Sequence, residues 1–267
     1  MNEMLTRYPG AKAAARRLAL EAVILVLAYL AYEAVRRLVE GSATDAIDRS
    51  LSLIRVEQQM GIFFEPALQS YVTDHHVLVT LFNWIYVWGY LPVIGITALY
   101  LYICHRGFYA RYRNAFLLSG AVGLVIFALL PVAPPRMFPE FGFVDTVRLN
   151  SELYTSFEGS NLVNEFAAVP SFHFGWILLV ALAVHQTTRR RALRIAAWAM
   201  PLLMLLAIVL TGNHYLLDAV AGGLVVLLAL GAVLVFEGTL RPRLWAAWTS
   251  LRSGDGVQGR VPSVNPR

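Results

Sequence analysis

The stretch TGNHYLLDAVAGGLVVLLALGAVLVF, residues 211–236, joins a short polar mouth to a long apolar run. A helix needs about 20 consecutive apolar residues to cross a bilayer. Residues 214–236 supply that length with one interruption, Asp218, about a turn inside. An acid at that depth is expensive unless it faces a partner or a water-filled cavity. His214 lies four residues ahead of it. On a helix that spacing shares one face, where the carboxylate can hold one ring nitrogen and leave the other free to attack an electrophile. A structural His–Asp link between span ends is the other use of the same pair.

Outward from this run, similar apolar stretches occur at 18–36, 77–104, 114–131, 171–188 and 195–211, which makes six expected spans. Hydrophobic residues are 58% of the chain and charged residues 15%. The expected fold is therefore all-α and polytopic. It divides into a cytoplasmic amino-terminal segment, 1–17, a membrane domain, 18–236, and a cytoplasmic tail, 237–267. The tail is rich in Gly, Ser, Pro and Arg and is expected to be partly disordered. The first run follows Arg7, Lys12, Arg16 and Arg17 but exceeds a usual signal-peptide h-region, so it reads as an uncleaved span.

The net charge of +5 is dispersed over short loops and termini, which argues against nucleic-acid binding and for orientation in a membrane. The amino terminus, Arg106/Arg111/Arg113, Arg189/Arg190/Arg191/Arg194 and Arg241/Arg243/Arg252 then share one side, cytoplasmic by the positive-inside rule. Arg36 and Arg37 fit less well, although side chains of this kind snorkel from span ends. The segments 37–76 and 132–170 fall on the opposite side. Within 42–74 apolar and charged residues interleave, as in an interfacial amphipathic helix, while the prolines and glycines of 132–170 indicate an extracytoplasmic cap. On this topology the openings of spans four and six, with His173, His214 and Asp218, meet at one surface. Cys104 is the only cysteine, which rules out an intramolecular disulfide and thiolate-rich metal sites.

Pro170-Ser171-Phe172-His173 opens the fourth span. Proline suits a first helical turn, whose amides have no intrahelical acceptor. Those amides, the positive helix end and the Ser171 hydroxyl can receive phosphate oxygens, with His173 near enough to move a proton. A plain helix cap with an interfacial histidine is the alternative. Arg136, in Ala133-Pro134-Pro135-Arg136, carries the side chain best shaped to hold phosphate, unless it is an ordinary loop arginine. Asn213 beside the histidine, and Asn83 and Tyr86 in the outer half of span two, complete the expected substrate-binding set; Tyr86 and the neighbouring aromatics Trp84, Trp88 and Tyr90 also fit an aromatic belt. A metal held by His173, His214 and Asp218 is the weaker account, because no HExxH-like spacing is present. No metal and no cofactor is expected.

Pro170-Ser171-x-His173 followed by Asn213-His214-Tyr215-x-x-Asp218-x-x-x-Gly222 resembles the type 2 phosphatidic acid phosphatase superfamily. The Ala-Pro-Pro element and the stretch Glu57-Gln-Gln-Met-Gly61-Ile-Phe-Phe-Glu65 resemble its inositol phosphorylceramide synthase-like (aureobasidin-resistance) branch, over most of 20–236. The resemblance implies that His214 is a nucleophile forming phosphohistidine, Asp218 its orienting partner and His173 the acid for the leaving oxygen, without metal. Two features depart from the superfamily. Its Lys-x6-Arg-Pro motif is absent, and Ile208 stands where an arginine is expected six residues before His214. Arg136 is the expected substitute.

The expected function is a membrane phosphotransferase moving a phosphoryl or phosphorylated headgroup, such as inositol phosphate, from a phospholipid or polyprenyl-phosphate donor to an alcohol. A phosphatase acting on lipid or polyprenyl phosphate with the same residues is the alternative. A non-catalytic lipid-binding or transport protein is the alternative of another class. The expected location is a bacterial plasma membrane, with both termini cytoplasmic and the site extracytoplasmic.

Overall fold

A computed structural model of the protein describes residues 11–38, 42–150 and 166–243. The expected disordered tail beyond 243, part of the expected cap and most of the amino-terminal segment lie outside these residues. The described chain is helical, with one isolated bridge, Val132 to Ala167.

Among the described residues, six long helices make the bundle. They are α1 (Ala11–Leu38), α4 (His76–Cys104), α5 (Arg106–Leu129), α7 (Phe172–Thr187), α8 (Arg191–Leu210) and α9 (Leu216–Arg243). Three smaller ones gather at one end: α2 (Ala43–Met60), α3 (Glu65–Thr73) and α6 (Thr146–Asn150). Among the described residues, α4, α5, α8 and α9 are long and apolar enough to cross a bilayer, which makes this an integral membrane protein. At 16 residues, α7 is shorter, and its apolar side chains are shared with the bundle interior.

Helix boundaries differ from expectation where charge in the sequence reads as loop. Arg111 and Arg113 lie inside α5, because protein partners neutralise them: Arg111 pairs with Glu237 at 2.9 Å and Arg113 with Glu21. These pairs tie α1, α5 and the end of α9 together at the arginine-rich end. At the opposite end α7 and α9 begin side by side. Between the two ends, Tyr112, Ala115, Leu179, Ala183, Val226 and Leu230 form a continuous buried core.

The amphipathic segment folds as part of the cap. Ser42 caps α2 by accepting the Asp45 amide, and Gly61 ends it at φ 69°, a left-handed conformation that glycine adopts without steric cost. Ala46, Ser50, Ile54 and Glu57 face inward, while Ile47, Val56 and Met60 stay exposed. Ile54 joins Val132, Ala133, Phe138, Phe143, Ala168 and Tyr215 in a second core roofing the start of α9. Buried Gln69 of α3 closes the seam: its amide donates to the carbonyls of Val144 (2.7 Å) and Leu210 (3.0 Å) and accepts from the Val144 N–H (2.9 Å).

Candidate active site

The turn 211–215 carries the first histidine. Gly212 reverses the chain at φ 69°, a left-handed conformation that a Cβ would strain, with the Val144 carbonyl 2.8 Å from where that Cβ would stand. The amides of Asn213 and His214 both donate to the Ile208 carbonyl at 3.1 Å, so the residue replacing the expected arginine serves the turn through its backbone.

His214 therefore precedes the helix rather than lying on it, a correction to the shared-face argument. The pairing survives: Nδ1 lies 3.2 Å from Asp218 Oδ2. A closer partner is the Ala168 carbonyl, 2.9 Å from the same Nδ1. A carbonyl can only accept, so Nδ1 carries the proton and Nε2 keeps its lone pair. Asp218 Oδ2 also accepts the Tyr215 amide at 2.9 Å, fixing the acid to the helix start. Sequence reasoning missed Ala168 because a main-chain acceptor has no residue-type signature. Burial pushes the His214 imidazole down to about 3; the Ala168 carbonyl opposes that shift and the Arg136 guanidinium adds to it.

His173 stands in the first turn of α7. Its ring centroid is 5.5 Å from that of His214. Tyr86 stacks on His173 at 4.4 Å, and Tyr90 packs against it at the same distance. Tyr86 lies within a π-helical turn, Ile85–Gly89, and Tyr90 directly follows it; the turn changes the angular register of α4 at this level. Tyr86 thus contacts the histidines directly, 6.3 Å from His214. Asn83 is engaged otherwise: it donates to the Thr146 carbonyl (2.8 Å) and accepts from the Thr146 hydroxyl (2.9 Å), joining α4 to the cap.

Proline was expected inside the α7 helix, yet Pro170 precedes it and Ser171 is the N-cap. The reason is a tertiary bond: the Ser171 N–H donates to the Asp218 carbonyl at 2.9 Å, which ties the two helix starts together. Among the described residues, the amides of Phe172, His173 and Phe174 have no hydrogen-bond acceptor, and the buried Ser171 hydroxyl has no partner. The α9 start differs sharply. There carboxyl groups take the amides of Tyr215, Leu216 and Leu217. One helix end is filled by protein acids and the other is left open beside two imidazoles.

Arg136 sits next to the turn of His214. Its amide donates to the Gly212 carbonyl at 2.7 Å and its Nη1 to Asn213 Oδ1 at 2.6 Å, while Nε lies 3.3 Å from Asp145 Oδ2. Asn213 in turn donates to the Thr211 carbonyl and hydroxyl. Asn213 thus orients the arginine, and Asp145 offsets its charge.

Fold and site together define an integral membrane protein with paired imidazoles where two helices begin. Residues 51–232 match the PAP2 superfamily, and the chain belongs to it. Membership places it among enzymes of the phosphatase and phosphotransferase type. No curated protein and no solved structure matches the chain.

Proposed function

We propose that the protein transfers a phosphoryl or phosphorylated headgroup between lipid-linked alcohols through phosphohistidine at His214. The observation that carries this reading is the open α7 start, with its unpartnered Ser171 hydroxyl and free amides, next to the His173 and His214 rings 5.5 Å apart. A phosphate oxyanion fits those donors. His214 Nε2 attacks phosphorus, the bond to the leaving oxygen breaks, and His173 gives that oxygen its proton. In the second step His173 takes a proton from the acceptor hydroxyl, whose oxygen attacks phosphorus and frees His214. Asp218 and Ala168 hold the His214 tautomer. Arg136, oriented by Asn213, balances charge on the transferring group. Tyr86 keeps His173 in place by stacking. The scheme draws on no metal and no cofactor.

The donor is a phospholipid or a polyprenyl phosphate that enters from the bilayer. His214 is 5% exposed beneath residues 166–169, which restricts water and favours a lipid alcohol as acceptor. The likeness to the inositol phosphorylceramide synthase-like branch points the same way. Hydrolysis is the second reading, since water can replace the alcohol without change to the residues. The membrane domain of this reading spans 18–236 six times, with both termini cytoplasmic and the site on the extracytoplasmic side of a bacterial plasma membrane. Arg111 and Arg113, paired at the end opposite the histidines, support it.

The test uses purified protein and a panel of phospholipid and polyprenyl-phosphate donors, scored for new phosphodiester against free phosphate. Acid-labile phosphoenzyme should form in the wild type and vanish in His214→Ala. Labelling that persists in that variant would end the assignment of the nucleophile.

A further inference from the structure

Glu57, at the end of α2, and Glu65, the first residue of α3, are both fully buried. Glu57 Oε1 accepts the Leu217 amide at 3.0 Å and Glu65 Oε1 the Leu216 amide at 3.1 Å. Adjacent amides therefore bring two carboxyl groups from different helices side by side. Among the described residues neither has a cationic partner, and the second oxygen of each, Oε2, is buried without a donor. Two neighbouring buried carboxyls do not both ionise, because like charges in a poorly solvated site repel strongly. The positive start of α9 offsets one negative charge, not two.

We infer that Glu57 and Glu65 share one proton between their Oε2 atoms and act as a pair of positioning residues, clamping the first turn of α9 so that His214 stays aligned with Ser171. This rests on the reading of His214 as nucleophile. The clamp has a direct path to the site: Leu216 and Leu217 follow the turn that carries His214, and the Asp218 carbonyl holds the Ser171 amide. Burial is the main cause that raises Glu57 to about 9, the Leu217 amide pulls it down, and Glu65 and Asp218 push it up. The ionisable groups facing the pair are Asp218 and the Tyr215 phenol at the start of α9; Arg55, on the same helix as Glu57, is exposed and bonded to Ser52.

A glutamine in either position imitates the shared proton permanently, since its carbonyl accepts the amide and its NH2 donates to the remaining carboxylate. The test measures kcat, KM and thermal unfolding of the full-length protein in detergent between pH 6 and 10, an interval chosen to bracket the raised carboxyl. Glu57→Ala and Glu65→Ala should lower kcat by up to about 100-fold, the cost of displacing a reacting group by about 1 Å, with little change in KM. Glu57→Gln and Glu65→Gln should keep near-wild-type kcat at pH 7.

The pH dependence has a definite sign. A carboxyl raised from 4.5 to about 9 contributes stability that is fully present below 4.5 and is lost as pH rises through about 9. Wild-type kcat and melting temperature should therefore both fall through that range, and either glutamine variant should flatten the fall. Identical pH profiles for wild type and glutamine variants, or glutamine variants as impaired as alanine ones, would overturn the shared proton. If the alanine variants do not fold, the glutamine comparison still decides. Should His214→Ala remain active, the nucleophile assignment fails while the melting comparison still tests the pair.

Discussion

Gly222 lies against the backbone of Ser171: a Cβ on Gly222 would stand 2.1 Å from the Ser171 carbonyl oxygen. Absence of a side chain there lets α7 and α9 begin in contact, close enough for the Ser171 amide to reach the Asp218 carbonyl. Gly222→Ala should force the two starts apart and lower turnover by about 100-fold, as expected for a displacement near 1 Å. Gly231→Ala, at a position with nothing within 4 Å, is the control and should retain activity. Steady-state kinetics of the two variants checks this, and equal activities would contradict it.

The two histidines should separate by leaving group. A proton on the departing oxygen matters for an alkyl phosphate and little for an aryl phosphate whose alcohol is already a good leaving group. His173→Ala should therefore cost about 100-fold or more on a lipid phosphate and far less on an aryl phosphate. His214→Ala should be inactive on both. The ratio of the two rates in each variant is the measurement.

Arg136 and Asp145 make opposed predictions for inorganic phosphate as a competitive inhibitor. Arg136→Gln should weaken inhibition by about tenfold, the scale of one lost charge-assisted hydrogen bond. Asp145→Asn frees the guanidinium from its counter-ion and should strengthen inhibition severalfold. Inhibition constants at fixed ionic strength decide, and weaker binding in Asp145→Asn would show that the carboxylate serves mainly to hold the arginine in place.

The depressed His214 imidazole has a signature of its own. Its ordinary value is near 6.5, and burial takes it to about 3. The unfolded chain therefore binds a proton at this residue before the folded one does. Its contribution to stability is complete above 6.5 and is lost as pH falls toward 3. Nitrogen NMR of the labelled imidazole at pH 6 should find Nδ1 protonated and Nε2 bare. A doubly protonated ring at that pH would contradict the burial argument.

The all-helical membrane class and the four helices long and apolar enough to cross a bilayer were legible because crossing is a property of local composition: a run of apolar side chains long enough to cover the hydrocarbon identifies itself. The limits blurred at Arg111 and Arg113, whose charges read as loop until Glu237 and Glu21 are known to meet them. His173, His214 and Asp218 stood out because polar groups are rare in such runs. Glu57 and Glu65 did not, since in a segment where charged and apolar residues alternate nothing local distinguishes a buried acid from a solvated one. Ala168 could not have been read at all, since its contribution is a carbonyl.

By itself, then, the order of residues determined an all-helical membrane chain, its span-length runs and the residue types able to do phosphoryl chemistry. Tertiary structure alone decided which helix start is filled by acids and which is left open, which nitrogen of His214 keeps its lone pair, and that Asn83 serves the cap. The reason is physical: hydropathy and helical period act within a few turns, whereas the fate of a hydrogen-bonding group depends on whatever distant backbone folding brings beside it.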